Sequence, residues 1–187
     1  YVELLKKIML PRDLIIYPKE ISDIEVLVPE ERKKVIKEEL EEMREQYCAL
    51  NRLFFDKSYP KGALIEKYTA FINLNPKYYA AYRDRAILYT HIGKYREAVA
   101  DNQLLITHNE RVWSDAIINK AEALFFLKDY DEALKVANHY FAICEKPTAE
   151  CYRIRAEIFR KLKMSYEYKA DMRESKRLRK EEKNRIW

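Results

Sequence analysis

The sequence is poor in the residues that catalytic and phosphate-binding motifs depend on. It has two glycines in 187 residues, and the isolated Gly62 and Gly93 cannot build a phosphate-cradling loop. There is no HExxH, no CxxC pair and no GxSxG elbow. The three cysteines, Cys48, Cys144 and Cys151, form no disulfide framework and have no zinc-ligand spacing. They read as small buried hydrophobes of a reducing compartment, which points to the cytoplasm. Cys144 and Cys151 flank the Lys146-Pro147 turn and are expected near each other. His91, His108 and His139 lie singly in helical stretches and read as ordinary helix positions rather than ligands. The carboxylates are many, but each sits among basic neighbours, as on a solvated helix face. No cofactor, no metal and no enzymatic activity are expected. No apolar run approaches the ~20 residues of a membrane span. With Tyr1 in place of Met, the first residue is expected not to be a native N-terminus, and targeting is not readable from it.

What the chain does have is hydrophobic content of 48%, charged content of 36% and 15 tyrosines, a mixture suited to a helical core with charged outer faces. One stretch organises the rest: NPKYYAAYRDRAILYTHIGKYREAVADNQLLITH, from Asn75 to His108. Asn75-Pro76 opens it, since proline has no N–H to lose in a first helical turn. Tyr82, Ala86 and Tyr89 share one helical face. Gly93 stands where a helix ends in the left-handed conformation. Tyr95, Ala98, Leu105 and Ile106 mark the inner face of a second helix. The small Ala86 and Ala98 let the two helices approach closely.

The unit recurs. Tyr82, Ala86, Tyr89, Tyr95 and Ala98 are followed by Ile117, Ala121, Leu124, Tyr130 and Ala133, an offset of 35 residues. Tyr152, Ala156 and Phe159 repeat the offset, after which the match fades to Ser165 and Tyr168. A period in this range marks stacked helical repeats. With its aromatic, small, aromatic, Gly, Tyr, Ala and Pro signposts, the unit resembles the tetratricopeptide repeat, and GKYREAVADNQLLI and KDYDEALKVANHYF are similar to that family's second helix. Arg85-Ala86, Lys120-Ala121 and Arg155-Ala156 stand where the family often has Leu-Gly or Arg-Gly. The resemblance implies an all-α fold, a right-handed superhelix of stacked antiparallel helix pairs (a TPR-like α-solenoid).

Residues 1–29 differ, with two β-like apolar runs between prolines. They read as an irregular N-terminal arm packed on the repeats, or as the remnant of a preceding region. Residues 30–187 read as the helical-repeat domain, with about four repeats. Glu30 to Phe55 forms a long helix whose Ile36, Leu40, Met43, Tyr47, Leu50 and Phe54 make a seam in steps of four and three. That seam lies on its neighbour or, alternatively, makes a coiled-coil dimer; a monomer is slightly favoured. Residues 60–75 read as the second helix of a degenerate first repeat, with Tyr68 and Phe71 inward.

Function then falls to binding. The resemblance implies a groove lined by the first helix of each repeat, and implies which positions face it. In the second repeat these include Arg83, Asp84, Ile87, Thr90 and His91. In the third they include Ile118, Asn119, Glu122, Phe125 and Phe126. In the fourth they include Glu150, Arg153, Ile154, Glu157 and Arg160. The candidate partner groove is thus Arg83, Ile87, His91, Ile118, Asn119, Glu122, Phe125, Phe126, Arg153 and Glu157. Adjacent Phe125 and Phe126 cannot share one stripe, so either one of them lines the groove or both pack between helices. One class of the family grips the C-terminal carboxylate of heat-shock chaperones with Lys, Asn, Asn, Lys and Arg at such positions. This chain keeps only Arg83 and Asn119 in suitable frames, and Ile87, Glu150 and Ile154 replace the others, so that ligand is disfavoured.

The expected function is a non-catalytic protein–protein interaction scaffold that binds a peptide or helix. Two alternatives stand beside it. One is a nucleic-acid-associated module using the basic end of the chain, where Tyr152 to Trp187 carry 13 Lys or Arg against 6 Asp or Glu. Lys169, Arg173, Arg177 and Lys180 form a possible basic patch there. A polar outer face for a terminal helix accounts for them as well, and nucleic acid is the less expected partner. The other alternative is a TPR-like domain of a larger protein, possibly an enzyme, its groove filled by its own arm.

Overall fold

The structure, a computed structural model, describes residues 30–109 and 112–185. The expected arm over residues 1–29 lies outside the described residues, as does Trp187. The fold is all-α, with helices packed sequentially in pairs. Among the described residues these are α1 (Glu30–Phe55), α2 (Lys61–Leu74), α3 (Tyr79–His91), α4 (Tyr95–Asn109), α5 (Ser114–Phe126), α6 (Tyr130–Ile143), α7 (Ala149–Lys161) and α8 (Ser165–Arg185). The chain divides into two compact units, Tyr1–Arg85 and Ala86–Trp187, and the division falls inside α3.

In the first unit α1 packs on α2. The seam residues Ile36, Met43, Tyr47 and Leu50 are buried, while Leu40 and Phe54 are half-buried. Facing them, α2 buries Leu64, Ile65, Tyr68, Phe71 and Ile72. Tyr47 stacks obliquely on Phe71 and Tyr78, with ring centroids 6.0 and 4.6 Å away. A buried carboxylate sits among these rings. Asp84 is 3% exposed and would carry a large desolvation cost if it stood alone. Tyr47 donates to its Oδ2 at 2.6 Å, Tyr68 donates to the same oxygen at 3.3 Å, and the Arg83 guanidinium donates to Oδ1 at 3.0 and 3.1 Å. Burial, together with the adjacent Asp84, pushes both tyrosine hydroxyls well above their ordinary range, so they remain donors.

Pro76 departs from expectation. It lies not in a first helical turn but in a turn closed by Tyr78 N–H donating to Asn75 C=O, and α3 begins at Tyr79. The fixed φ of proline suits the second position of a β-turn as well as a helix start. Asn75 also ends α2, with its backbone N–H on Phe71 and Ile72 carbonyls and its side-chain amide on Phe71 C=O.

In the second unit the repeat is visible in the backbone itself. Gly93, Lys128 and Lys163 have φ of 79°, 67° and 62° and stand 35 residues apart. Each closes a Schellman cap. Lys94 N–H reaches Tyr89 C=O while Gly93 N–H reaches Thr90 C=O; the same pair of bonds joins Asp129 to Leu124 and Lys128 to Phe125, and Met164 to Phe159 and Lys163 to Arg160. Each cap reverses the chain, and the next helix begins at Tyr95, Tyr130 or Ser165. α5 packs on α6 and α7 on α8 as helical hairpins, with α4 against α5 and α6 against α7 linking successive pairs.

The alanines sit where the register requires. Ala86, Ala98, Ala121, Ala133 and Ala156 are at most 1% exposed. Around Ala121 and Ala133 a core forms from Ile117, Ile118, Leu124, Val136, Ala137, Tyr140, Cys151, Ile154 and Ile158. The cations that precede the small residues tie each first helix to a neighbouring second helix. Within the first unit, Arg85 donates to Thr69 Oγ1 at 3.1 Å. Within the second, Lys120 donates to Gln103 Oε1 at 2.7 Å. Arg155 forms a two-pronged pair with the buried Asp171 at 2.7 and 2.9 Å, and its guanidinium lies 3.6 Å from the Phe141 ring centroid. Cys144 and Cys151 do meet: both thiols donate to the Tyr140 hydroxyl at 3.2 Å.

Two substitutions test this architecture. Ala121→Leu overpacks the crossing and is expected to cost ~1–3 kcal/mol of stability. Lys128→Gly removes ~1–2 kcal/mol of left-handed strain against ~0.5–1 kcal/mol of added chain entropy, and is expected to stabilise by up to ~1.5 kcal/mol. Urea unfolding of the full chain measures both. A Lys128→Gly protein that is less stable than the native one would contradict the cap assignment.

Candidate functional site

Three first helices contribute to one cavity in the second unit. Its volume is about 580 Å³, and Ile87, Thr90, His91, Asn119, Glu122, Phe126 and Glu150 line it. The register explains four of these seven residues. Ile87 and Glu122 occupy the same repeat position, as do His91 and Phe126.

Phe126 is 44% exposed. It is held by Tyr95 of α4, whose ring stacks on it at 4.9 Å and 14°, and by Phe125, edge-on at 5.4 Å. The adjacent phenylalanines therefore divide their roles. Phe125 turns inward against the core and Tyr130, while Phe126 presents an anchored aromatic surface to the cavity.

The polar wall is organised by Arg153 of α7. Its guanidinium donates to Glu150 Oε1 at 2.8 and 2.5 Å but reaches Glu122 Oε1 only at 3.4 Å. Glu150 has a second cation, Arg179 of α8, at 3.1 Å. The two carboxylates consequently differ. Hydrogen bonding from Arg153 holds Glu150 below the usual carboxylate range. Burial raises Glu122 above it, against the attraction of Arg153 and with the added repulsion of Glu150.

The remaining expected residues fall elsewhere. Ile118 does not face the groove: it is 4% exposed and belongs to the core, because one residue along a helix turns the side chain by about 100° away from Asn119. Ile154 and Asp84, which the family frame also turns outward, are likewise buried. Arg83 lies in the first unit, with its guanidinium on Asp84. Glu157 pairs with Arg160 rather than lining the cavity. Of the basic patch, Lys169, Arg173, Arg177 and Lys180 are all exposed on α8, but Arg177 is bound by both Glu174 and Glu181. Two contributors had no clear signal in the sequence. Tyr95 was visible only as an inner-face marker, and Arg179 was one of many basic residues in α8.

The described residues contain no group of three or more His, Cys, Asp or Glu side chains placed to hold a metal ion. No described helix is long and apolar enough to cross a membrane.

A succession of 35-residue helix pairs with shared caps and shared small-residue crossings makes this a TPR-like helical-repeat protein. Among solved structures the chain is similar to a tetratricopeptide repeat protein from Parabacteroides merdae ATCC 43184, with 16% sequence identity and a TM-score of 0.35, over 94% of this chain and 84% of that chain. No protein-family model matches it. No curated protein matches it either.

The state of Glu122 has a measurable consequence. Its carboxyl protonates above the unfolded value of 4.5, so between those two pH values the folded chain holds more protons than the unfolded chain. Stability from this group therefore increases as pH falls through the folded value, and is lost as pH rises. Subtracting the pH–stability profile of Glu122→Gln from that of the native protein isolates the contribution. The difference should favour the native protein more at pH 5 than at pH 7, and the opposite slope would contradict the desolvated assignment.

Proposed function

We propose that the protein is a non-catalytic interaction scaffold and that the groove of the second unit binds an extended or helical segment of a partner protein. The observation that supports this most strongly is the groove itself, lined by residues of three successive first helices, two pairs of which stand at equivalent repeat positions. A volume of about 580 Å³ is in the range of formed binding pockets, about 300–1,000 Å³, and accommodates several side chains of a peptide. Phe126 supplies the kind of anchored aromatic surface on which binding energy concentrates. The basic stripe of α8 is the weaker candidate for a working surface, because Arg177, its central member, is already neutralised by two glutamates.

A random peptide library displayed on phage, selected against the full chain, tests the reading. Selected peptides are expected to lose about tenfold or more in affinity on Phe126→Ala, as for truncation of an aromatic hot spot, with the helical circular dichroism spectrum retained. Selected peptides that bind native and Phe126→Ala proteins equally would place the interaction surface outside this groove.

A further inference from the structure

The chemistry of the groove selects among partners. We infer that it takes a cationic side chain, Lys or Arg, of a partner peptide against Glu122, with an adjoining apolar residue on Phe126 and Ile87; this rests on the groove being the binding surface.

The argument begins with charge. The chain as a whole is at +5, yet the cavity lining carries two carboxylates and no lysine or arginine. One of those carboxylates is already well served. Glu150 receives Arg153 at hydrogen-bond distance and Arg179 at 3.1 Å. Glu122 is not. Its side chain is 26% exposed, and the guanidinium that reaches it does so at 3.4 Å while making shorter bonds to Glu150. A half-buried carboxylate in that position carries a desolvation cost that its own neighbours do not fully offset. A ligand cation arriving at the open side would complete its coordination. A ligand carboxylate would instead meet the like charge of Glu122, which disfavours it.

The walls fit the same ligand. Lysine and arginine carry a long apolar stem beneath a charged head. Phe126 and Ile87 line the same cavity as Glu122, so stem and head find complementary surfaces within one site. Arginine has an added fit, since a guanidinium can lie on the exposed part of the Phe126 ring while donating to the carboxylate. Asn119, also in the lining, offers both a donor and an acceptor to a passing peptide backbone.

The test uses the full chain and three synthetic peptide series of equal length. Each keeps one leucine anchor and differs only in its flanking residues: lysine and arginine, serine, or aspartate and glutamate. Affinities are read by fluorescence anisotropy at physiological ionic strength, for the native protein and for Glu122→Gln, Glu122→Lys and Phe126→Ala. The basic series is expected to bind tightest, and Glu122→Gln to weaken it about tenfold while leaving the serine series unchanged, as for loss of one partner of a close charge pair. Glu122→Lys should shift the preference towards the acidic series, which separates a charge effect from a packing effect. Equal binding of all three series by the native protein, all weakened by Phe126→Ala, would overturn the cationic ligand and leave the groove standing. Tightest binding by the acidic series would also overturn it. No series binding the native protein better than Phe126→Ala would remove the groove reading as well.

Discussion

Close approach of helices at alanine is the constraint on which the second unit depends. Ala86, Ala98, Ala121, Ala133 and Ala156 are buried to 1% exposure or less, and a larger side chain at such a crossing has nowhere to go in a core packed to crystal-like density. Because these alanines recur every 35 residues, so does everything set by them. The Schellman caps at Gly93, Lys128 and Lys163 follow in the same register, and so does the outward face of each first helix. The groove is a product of that register: a cavity lined at positions 87, 122, 91 and 126 exists because 86 and 121 are buried against other helices.

Electrostatics are arranged around this frame in two ways. Where a charge is placed between helices, as at Arg155 and Asp84, it has several partners. Arg155 is held between Asp171 and the Phe141 ring, and Asp84 accepts from two tyrosines and an arginine. At the groove the arrangement is less complete. Arg153 is shared unequally between Glu150 and Glu122, so the half-buried Glu122 is the less well partnered of the two. The buried charges Asp84 and Asp171 thus each accept two or more hydrogen bonds, whereas Glu122, which lines a cavity, receives Arg153 at 3.4 Å. That contrast supports the ligand inference from a direction independent of the shape of the groove.

Much of the fold was legible in the sequence, and for physical reasons. A small residue at a crossing has few substitutes, so the alanine register is written plainly, and the a/d-like seam of α1 is as plain because steps of four and three place its members on one face. The caps were half legible. Gly93 announces a left-handed residue, whereas Lys128 and Lys163 adopt the same conformation at a steric cost that their identity does not reveal. Pro76 was ambiguous by its chemistry, since one fixed φ serves both a helix start and a β-turn. At the groove, family position alone turned Ile118, Ile154 and Asp84 outward. Their burial depends on what surrounds them, and Asp84 shows why that is hidden: it lies inward because Tyr47 and Tyr68 bring hydroxyl donors to it from other helices. The tie between Arg179 and Glu150 spans 29 residues and has no periodic signal to give it away.

The proposed working surface is the cavity lined by residues of α3, α5 and α7. Amide chemical-shift mapping tests it most directly, using the isotope-labelled full chain and the tightest-binding peptide obtained. The predicted result is a continuous set of perturbed amides around Ile87, Asn119, Glu122 and Phe126, with α6 and the exposed face of α8 unchanged. Perturbations confined to the Lys169–Lys180 stripe or to the second helices, with those four residues silent, would contradict it.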